Sequence, residues 1–209
     1  MKIDILCENR ENSNTYIVGN DQEVIIIDPS NDERSIKKLV NERIVKGIFL
    51  THGHYDHFKK IHKLLKLYDV SVYMHKQANT KLLDTNSSCA IYFGFNLPTI
   101  VDQEKIVFVK DGEQIKLGEI IIQVLFSPGH TNCSVCYKID NDLFSGDTIF
   151  FEGVGRWDLP TASMHQLMES IERILKSKKD FNIYPGHGES TTCFHESKFN
   201  PYYLRGKRV

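Results

Sequence analysis

The eleven residues from Gly47 to His57, Gly-Ile-Phe-Leu-Thr-His-Gly-His-Tyr-Asp-His, constrain this chain more than any other segment. An apolar run ends at Leu50, and His52, His54, Asp56 and His57 follow directly. Histidines two apart do not suit a helix, where ligand pairs fall at i, i+4. They suit an extended turn, in which alternate side chains point the same way. Gly53 gives the turn the freedom to bring both imidazoles onto one ion. Asp56 and His57 then open a helix and can face a second ion nearby. Imidazole nitrogen and carboxylate oxygen suit zinc, iron or manganese, whereas a structural zinc site more usually contains several thiolates.

Three later segments have the same form, a strand running into a polar turn. Ile120–Phe126 leads to Ser-Pro-Gly-His130-Thr, Leu143–Ser145 to Gly-Asp147-Thr, and Phe181–Tyr184 to Pro-Gly-His187-Gly. Each puts one ligand-type side chain at a strand end, beside a glycine that permits close approach. The remaining expected strands are Ile3–Leu6, Thr15–Val18, Val24–Asp28, Gly47–Leu50, Ser71–Met74, Ile106–Val109 and Val135–Ile139, short β-branched or aromatic runs bounded by turn residues. Helices are expected over Glu33–Glu42, His57–Leu67, His75–Asp84 and Ser163–Ser177. The last puts Leu167, Ile171, Ile174 and Leu175 on one face, with Ser163 able to cap it. Residues 84–100 carry no clear period and read as a long loop or broken helix over one face.

Composition narrows the class. The 209 residues suit one domain, 1–209, with core enough to stand without disulfides. Five cysteines at irregular positions read as a reduced, cytoplasmic chain, and Cys133-Ser-Val-Cys136 as two ordinary packed cysteines. The 26 basic and 27 acidic residues give a net charge of −1, with no broad field for nucleic acid. No apolar run approaches the ~20 residues of a membrane helix, and the amino terminus does not read as a signal peptide.

Taken in order, THGHYDH, SPGHT, SGDTIF and PGHG resemble the metallo-β-lactamase superfamily, and within it the compact bacterial glyoxalase II-like (hydroxyacylglutathione hydrolase-like) hydrolases. Asn14-Thr15-Tyr16, Ile27-Asp28-Pro29, GVGRWDLP at 153–160 and NPYYLR at 200–205 fit the same group. The resemblance implies an α+β fold, a four-layer αββα sandwich with its site along one edge of two packed sheets. It implies two divalent metal ions, zinc first, with iron or manganese also compatible. His52, His54 and His130 would hold one ion, Asp56, His57 and His187 the other, and Asp147 would bridge them.

The function it implies is a binuclear hydrolase of ester or thioester bonds, acting on a small S-acylglutathione-like thioester. A hydroxide shared by the two ions would attack the acyl carbonyl, with Asp56 orienting it and thiolate leaving. A lactonase of the same fold and a mononuclear-iron persulfide dioxygenase are the alternatives. Arg156 is expected either to meet a substrate carboxylate or to pair with Asp158, and Tyr55 to line the pocket or to pack. Asp28 is read as either a partner to a ligand histidine or a turn residue.

Overall fold

Period-two alternation in the strands decides the layering. In Val24-Ile25-Ile26-Ile27, Val24 and Ile26 pack with the helices on one side, while Ile25 and Ile27 enter the core between two sheets. Such runs, apolar on both faces, belong to strands covered on both sides. The computed structural model of the chain describes residues 1–9, 11–96, 99 and 101–206.

The first sheet runs in chain order: β1 (Lys2–Leu6), β2 (Thr15–Gly19), β3 (Glu23–Ile27), β4 (Ile44–Phe49), β5 (Val72–His75) and β6 (Ile106–Val109). β1 to β3 form an antiparallel meander, and β3 to β6 pair in parallel. Parallel pairing needs crossovers. These contain α1 (Glu33–Val40), then α2 (Tyr55–Phe58) and α3 (Ile61–Leu65), then α4 (Lys76–Leu82).

The second half begins with β7 (Gln114–Leu117), β8 (Ile120–Phe126), β9 (Val135–Ile139) and β10 (Asp142–Gly146), all antiparallel to their chain neighbours. A small hairpin follows, β11 (Ile149–Phe150) and β12 (Gly153–Val154), and then α5 (Met164–Leu175). β13 (Asn182–Pro185) returns parallel to β10, and β14 (Thr191–Thr192) closes that sheet. The chain continues into α6 (Cys193–Phe199) and α7 (Pro201–Gly206).

Three apolar cores hold the four layers apart. Ile36, Phe58, Ile61 and Leu64 pack on the outer face of the first sheet. Tyr16, Ile25, Ile27 and Phe49 meet Ile120, Ile122, Tyr137 and Phe144 between the sheets. Leu167, Ile171, Ile174 and Leu175 of α5 cover Leu143 and Ile183 of the second sheet. The architecture is the expected αββα sandwich. Ser163 caps α5 through its hydroxyl, which accepts from the Gln166 amide.

Several expectations shift. The single helix over 57–67 is two short ones, because the Lys60 amide is taken by the Pro29 carbonyl at 3.0 Å. α1 stops at Val40, where Asn41 turns the chain at φ 55°. The run from Ile106 to Phe126 serves two sheets. β6 ends the first and β7 opens the second, with Gly112 at φ 75° between them. Helices α6 and α7 were not anticipated. Residues 84–96 consist of turns and a short 3-10 helix, Ala90–Phe93.

Among the described residues no helix is long and apolar enough to cross a membrane.

The register of β8 gives a direct test. Ile122 is fully buried between the sheets and Ile121 is 50% exposed. Ile122→Ala should cost about 2–5 kcal/mol in urea unfolding, and Ile121→Ala under about 1 kcal/mol.

Candidate metal centre

Four strands deliver the ligands to one edge. β4 runs into the turn bearing His52 and His54, with Asp56 and His57 opening α2. β8, β10 and β13 point the same way in the second sheet, and Pro128-Gly129-His130, Asp147 and Pro185-Gly186-His187 follow their ends. All seven anticipated residues meet there. His52, His54 and His130 form one group whose ligand atoms lie within 4.8 Å of one another. Asp56, His57 and His187 form a second. A third grouping of His52, His57 and Asp147 joins the two. Asp147 faces both sides: Oδ1 is 3.3 Å from His57 Nε2, and Oδ2 is 3.5 Å from His130 Nε2 and 3.7 Å from His187 Nε2.

Hydrogen bonds set which nitrogen of each ring is free. Asp28 is buried at the end of β3 and can only accept. It takes the Thr51 amide at 2.8 Å, the Thr51 hydroxyl at 2.6 Å and the His57 Nδ1 proton at 2.8 Å. The Thr51 hydroxyl proton is thereby committed, so its oxygen accepts from His52 Nδ1 at 3.1 Å. His130 Nδ1 donates to the Arg156 carbonyl at 2.8 Å. His52 and His130 are thereby left with an Nε2 lone pair, and His57 with Nε2 as the nitrogen that faces the site. An outer hydrogen bond that fixes the tautomer is how proteins prepare imidazole for a metal.

The atoms facing inward lack adequate partners within the protein. His52 Nε2, His57 Nε2 and Asp147 Oδ1 are buried and form no hydrogen bond. Each such atom costs about 1–3 kcal/mol if left so. His54 Nδ1 and His130 Nε2 stand 2.9 Å apart. Two ligands on one tetrahedral zinc are about 3.3 Å apart, so this pair fits a shared cation. Neutral imidazoles with bridging carboxylate match divalent metals by their chemistry, and zinc, iron and manganese all accept such donors.

Charge divides the two halves. Burial pushes the His52, His54 and His130 imidazoles below their ordinary range, which keeps them neutral. Burial acts the same way on His57, but Asp147, Asp28 and Asp56 outweigh it and raise its affinity for a proton. Asp147 is held well below the usual carboxylate range; burial opposes this, and the neighbouring His187 and His57 overcome it. The half containing three carboxylates is the one whose negative charge a divalent cation would replace a proton in balancing.

The residues the sequence did not single out are those that pack the edge. Asn14 donates through Nδ2 to the Pro185 and Gly188 carbonyls, each at 3.0 Å, tying β2 to the loop that carries His187. Gly186, by contrast, was expected beside His187 as a point of close approach, and it is one: a Cβ there would fall 2.1 Å from Asp147 Oδ1 and 2.7 Å from His57 Cε1. Thr51 could have been suspected from its place beside His52; Asn14 carried only a family likeness.

Above the ligands lies a cavity of about 390 Å³, lined by His54, Asp56, His130, Asp147 and His187 together with Cys89, Phe93, Phe150 and Arg156. His52 and His57 lie beneath it. Arg156 is exposed and bound in two hydrogen bonds of 2.9 Å to Asp158, so its side chain makes the turn pair while its carbonyl orients His130. Tyr55 is not part of this wall. It packs on Phe58 and Phe95 and lines a neighbouring cavity, because Asp56 takes the inward direction at the helix start. Cys133 and Cys136 are buried free thiols.

A sequence model of the metallo-β-lactamase superfamily matches residues 9–187, and the chain belongs to that superfamily. A probable metallo-hydrolase of Streptococcus pyogenes is 31% identical over 210 aligned residues, covering 97% of this chain and 90% of its own. The crystal structure of BLEG-1, a B3 metallo-β-lactamase, superposes with a TM-score of 0.89 at 26% identity over 97% of this chain and 99% of that one. TTHA1623 in a di-iron-bound form gives 0.83 at 28% identity, over 97% and 100%.

The hydrogen bonds of Asp28 predict its role. Asp28→Ala should weaken metal binding about 10–100-fold in chelator competition, whereas Asp158→Ala should leave it unchanged.

Proposed function

We propose that this metal-dependent hydrolase cleaves small acyl thioesters, in the manner of the glyoxalase II-like group. The observation that carries the reading is the pairing of a two-part donor set with a cavity whose other walls are largely apolar. Bound divalent cations would supply a Lewis acid and a water of lowered pKa. The chain has to supply the rest. Asp147 joins the two donor groups and sets their spacing. Asp56 lies at the cavity wall with Oδ2 3.2 Å from His187 Nε2, placed to accept a proton from an attacking water.

Leaving-group chemistry favours the thioester. A departing amine must be protonated, which at this wall falls to Asp56 once it has taken the water's proton, or to Tyr92 and Cys89. A thiol of pKa ~8.5 departs as thiolate without such help. Phe93, Phe150, Val154 and Leu159 give the cavity apolar walls suited to a short acyl chain.

Metal-loaded protein should hydrolyse propionyl and lactoyl thioesters of glutathione and N-acetylcysteamine faster than matched lactones or amides. Asp147→Ala should lose bound metal, measured by mass spectrometry, and turnover by at least about a hundredfold. Cleavage of lactones with no thioester turnover would transfer the site to a lactonase.

A further inference from the structure

A second cavity, about 540 Å³, adjoins the one above the ligands. Phe93 lines both, and the consecutive residues Tyr55 and Asp56 wall one each. Tyr55, Phe93 and Phe95 give the second cavity an aromatic side, with Tyr55 5.7 Å from Phe93 and 4.6 Å from Phe95 between ring centroids. Lys59 and Lys60, between α2 and α3, and Lys63 of α3 line the same cavity.

The three ammonium groups are not equivalent. Lys60 and Lys63 both face Glu33, at 3.4 and 3.6 Å. Among the described residues no carboxylate lies within ion-pair distance of Lys59. Its ammonium instead donates to the side-chain carbonyl of Asn12 and stands 5.8 Å above the Phe93 ring. Three acids, Glu8, Glu11 and Asp32, also line this cavity, and none is within ion-pair distance of Lys59. Glu8 accepts from the Asp32 amide at 2.8 Å, and Asp32 caps α1. Glu11 is exposed, where solvent screens it. A half-buried lysine with only neutral partners, beside the ring that the two cavities share, is an available anion contact.

We propose that the second cavity is a carrier-binding subsite: the thiol carrier of the substrate passes Phe93 and sets a carboxylate or phosphate on Lys59. Lys60 and Lys63 are taken by Glu33, so the anion contact falls to Lys59, and the aromatic side covers the carrier's apolar stem. The assignment rests on the thioesterase reading, since it is the carrier of a thioester that needs a place outside the reacting cavity. It makes Lys59 and Phe93 determinants of specificity and leaves the acyl preference to the metal cavity.

Binding of uncleavable thioethers tests the subsite without requiring turnover. Metal-loaded protein is titrated calorimetrically with S-propyl-glutathione, S-propyl-4′-phosphopantetheine and the uncharged S-propyl-N-acetylcysteamine. An anionic thioether should bind more tightly than the neutral one, and its affinity should fall with added salt. Lys59→Gln should weaken the anionic ligand about tenfold and Lys59→Arg should largely restore it, while the neutral ligand changes less than twofold. Metal content should be the same in both variants. The stronger anionic binder tells carboxylate from phosphate. Equal binding of all three ligands, or equal loss of the neutral and anionic ones in Lys59→Gln, would overturn the proposal. Lys59-dependent binding in a protein that cleaves no thioester would retain the subsite and remove the thioesterase reading.

Discussion

One buried carboxylate orders the metal centre. Asp28 has almost no exposure to water, and its two oxygens accept from the Thr51 amide, the Thr51 hydroxyl and the His57 ring. A carboxylate cannot donate, so every proton in this chain of contacts has one direction. His57 is fixed directly and His52 through the Thr51 hydroxyl. The charge would be costly without these donors. Its backbone also pays a penalty, at φ 50°, in a region that aspartate tolerates better than most residues. Such strain persists where the surroundings determine it several times over, and here three hydrogen bonds do so.

The orientation of the rings then depends on how closely the loops approach. The turn after β13 lies against the Asp147 side chain so tightly that a single methyl group at Gly186 would collide with it. Asn14 secures that turn from the first sheet. The site is therefore a joint between the two sheets, and its walls differ in character: rigid ligands beneath, an aromatic partition at Phe93, and a lysine-bearing cavity beyond it. The backbone of residues 87–88 holds the partition near the ligand turn. The Tyr55 amide donates to the Ser88 carbonyl, and the buried Lys81 ammonium to that of Ser87.

The ligand residues were legible because they are polar groups at the ends of apolar strands, a local pattern. The αββα layering was legible through family likeness, supported by strands apolar on both faces such as Val24–Ile27. What sequence could not supply were contacts between distant segments. The Pro29 carbonyl that interrupts the helix after Phe58 is thirty-one residues from the amide it takes at Lys60. Asn14 meets residues more than 170 positions away. Tyr55 sits inside the ligand motif, yet its ring packs among Phe58, Phe93 and Phe95. The change of sheet at Gly112 is invisible because a glycine turn between two short strands reads the same whether they pair with each other or with different sheets.

The ligands are shared unequally between halves of the chain, with His52, His54, Asp56 and His57 before the first sheet is complete and His130, Asp147 and His187 after it. The His52, His54 and His130 group is complete once the turn after β8 has been made, whereas the Asp56, His57 and His187 group waits for β13. The second donor group is thus the last part of the site to assemble. A divalent cation bound across the two halves would act as a clasp between them, adding about 2.7 kcal/mol of stability at a free concentration a hundred times its dissociation constant. Chelation should loosen the seam between the sheets before it disturbs either one.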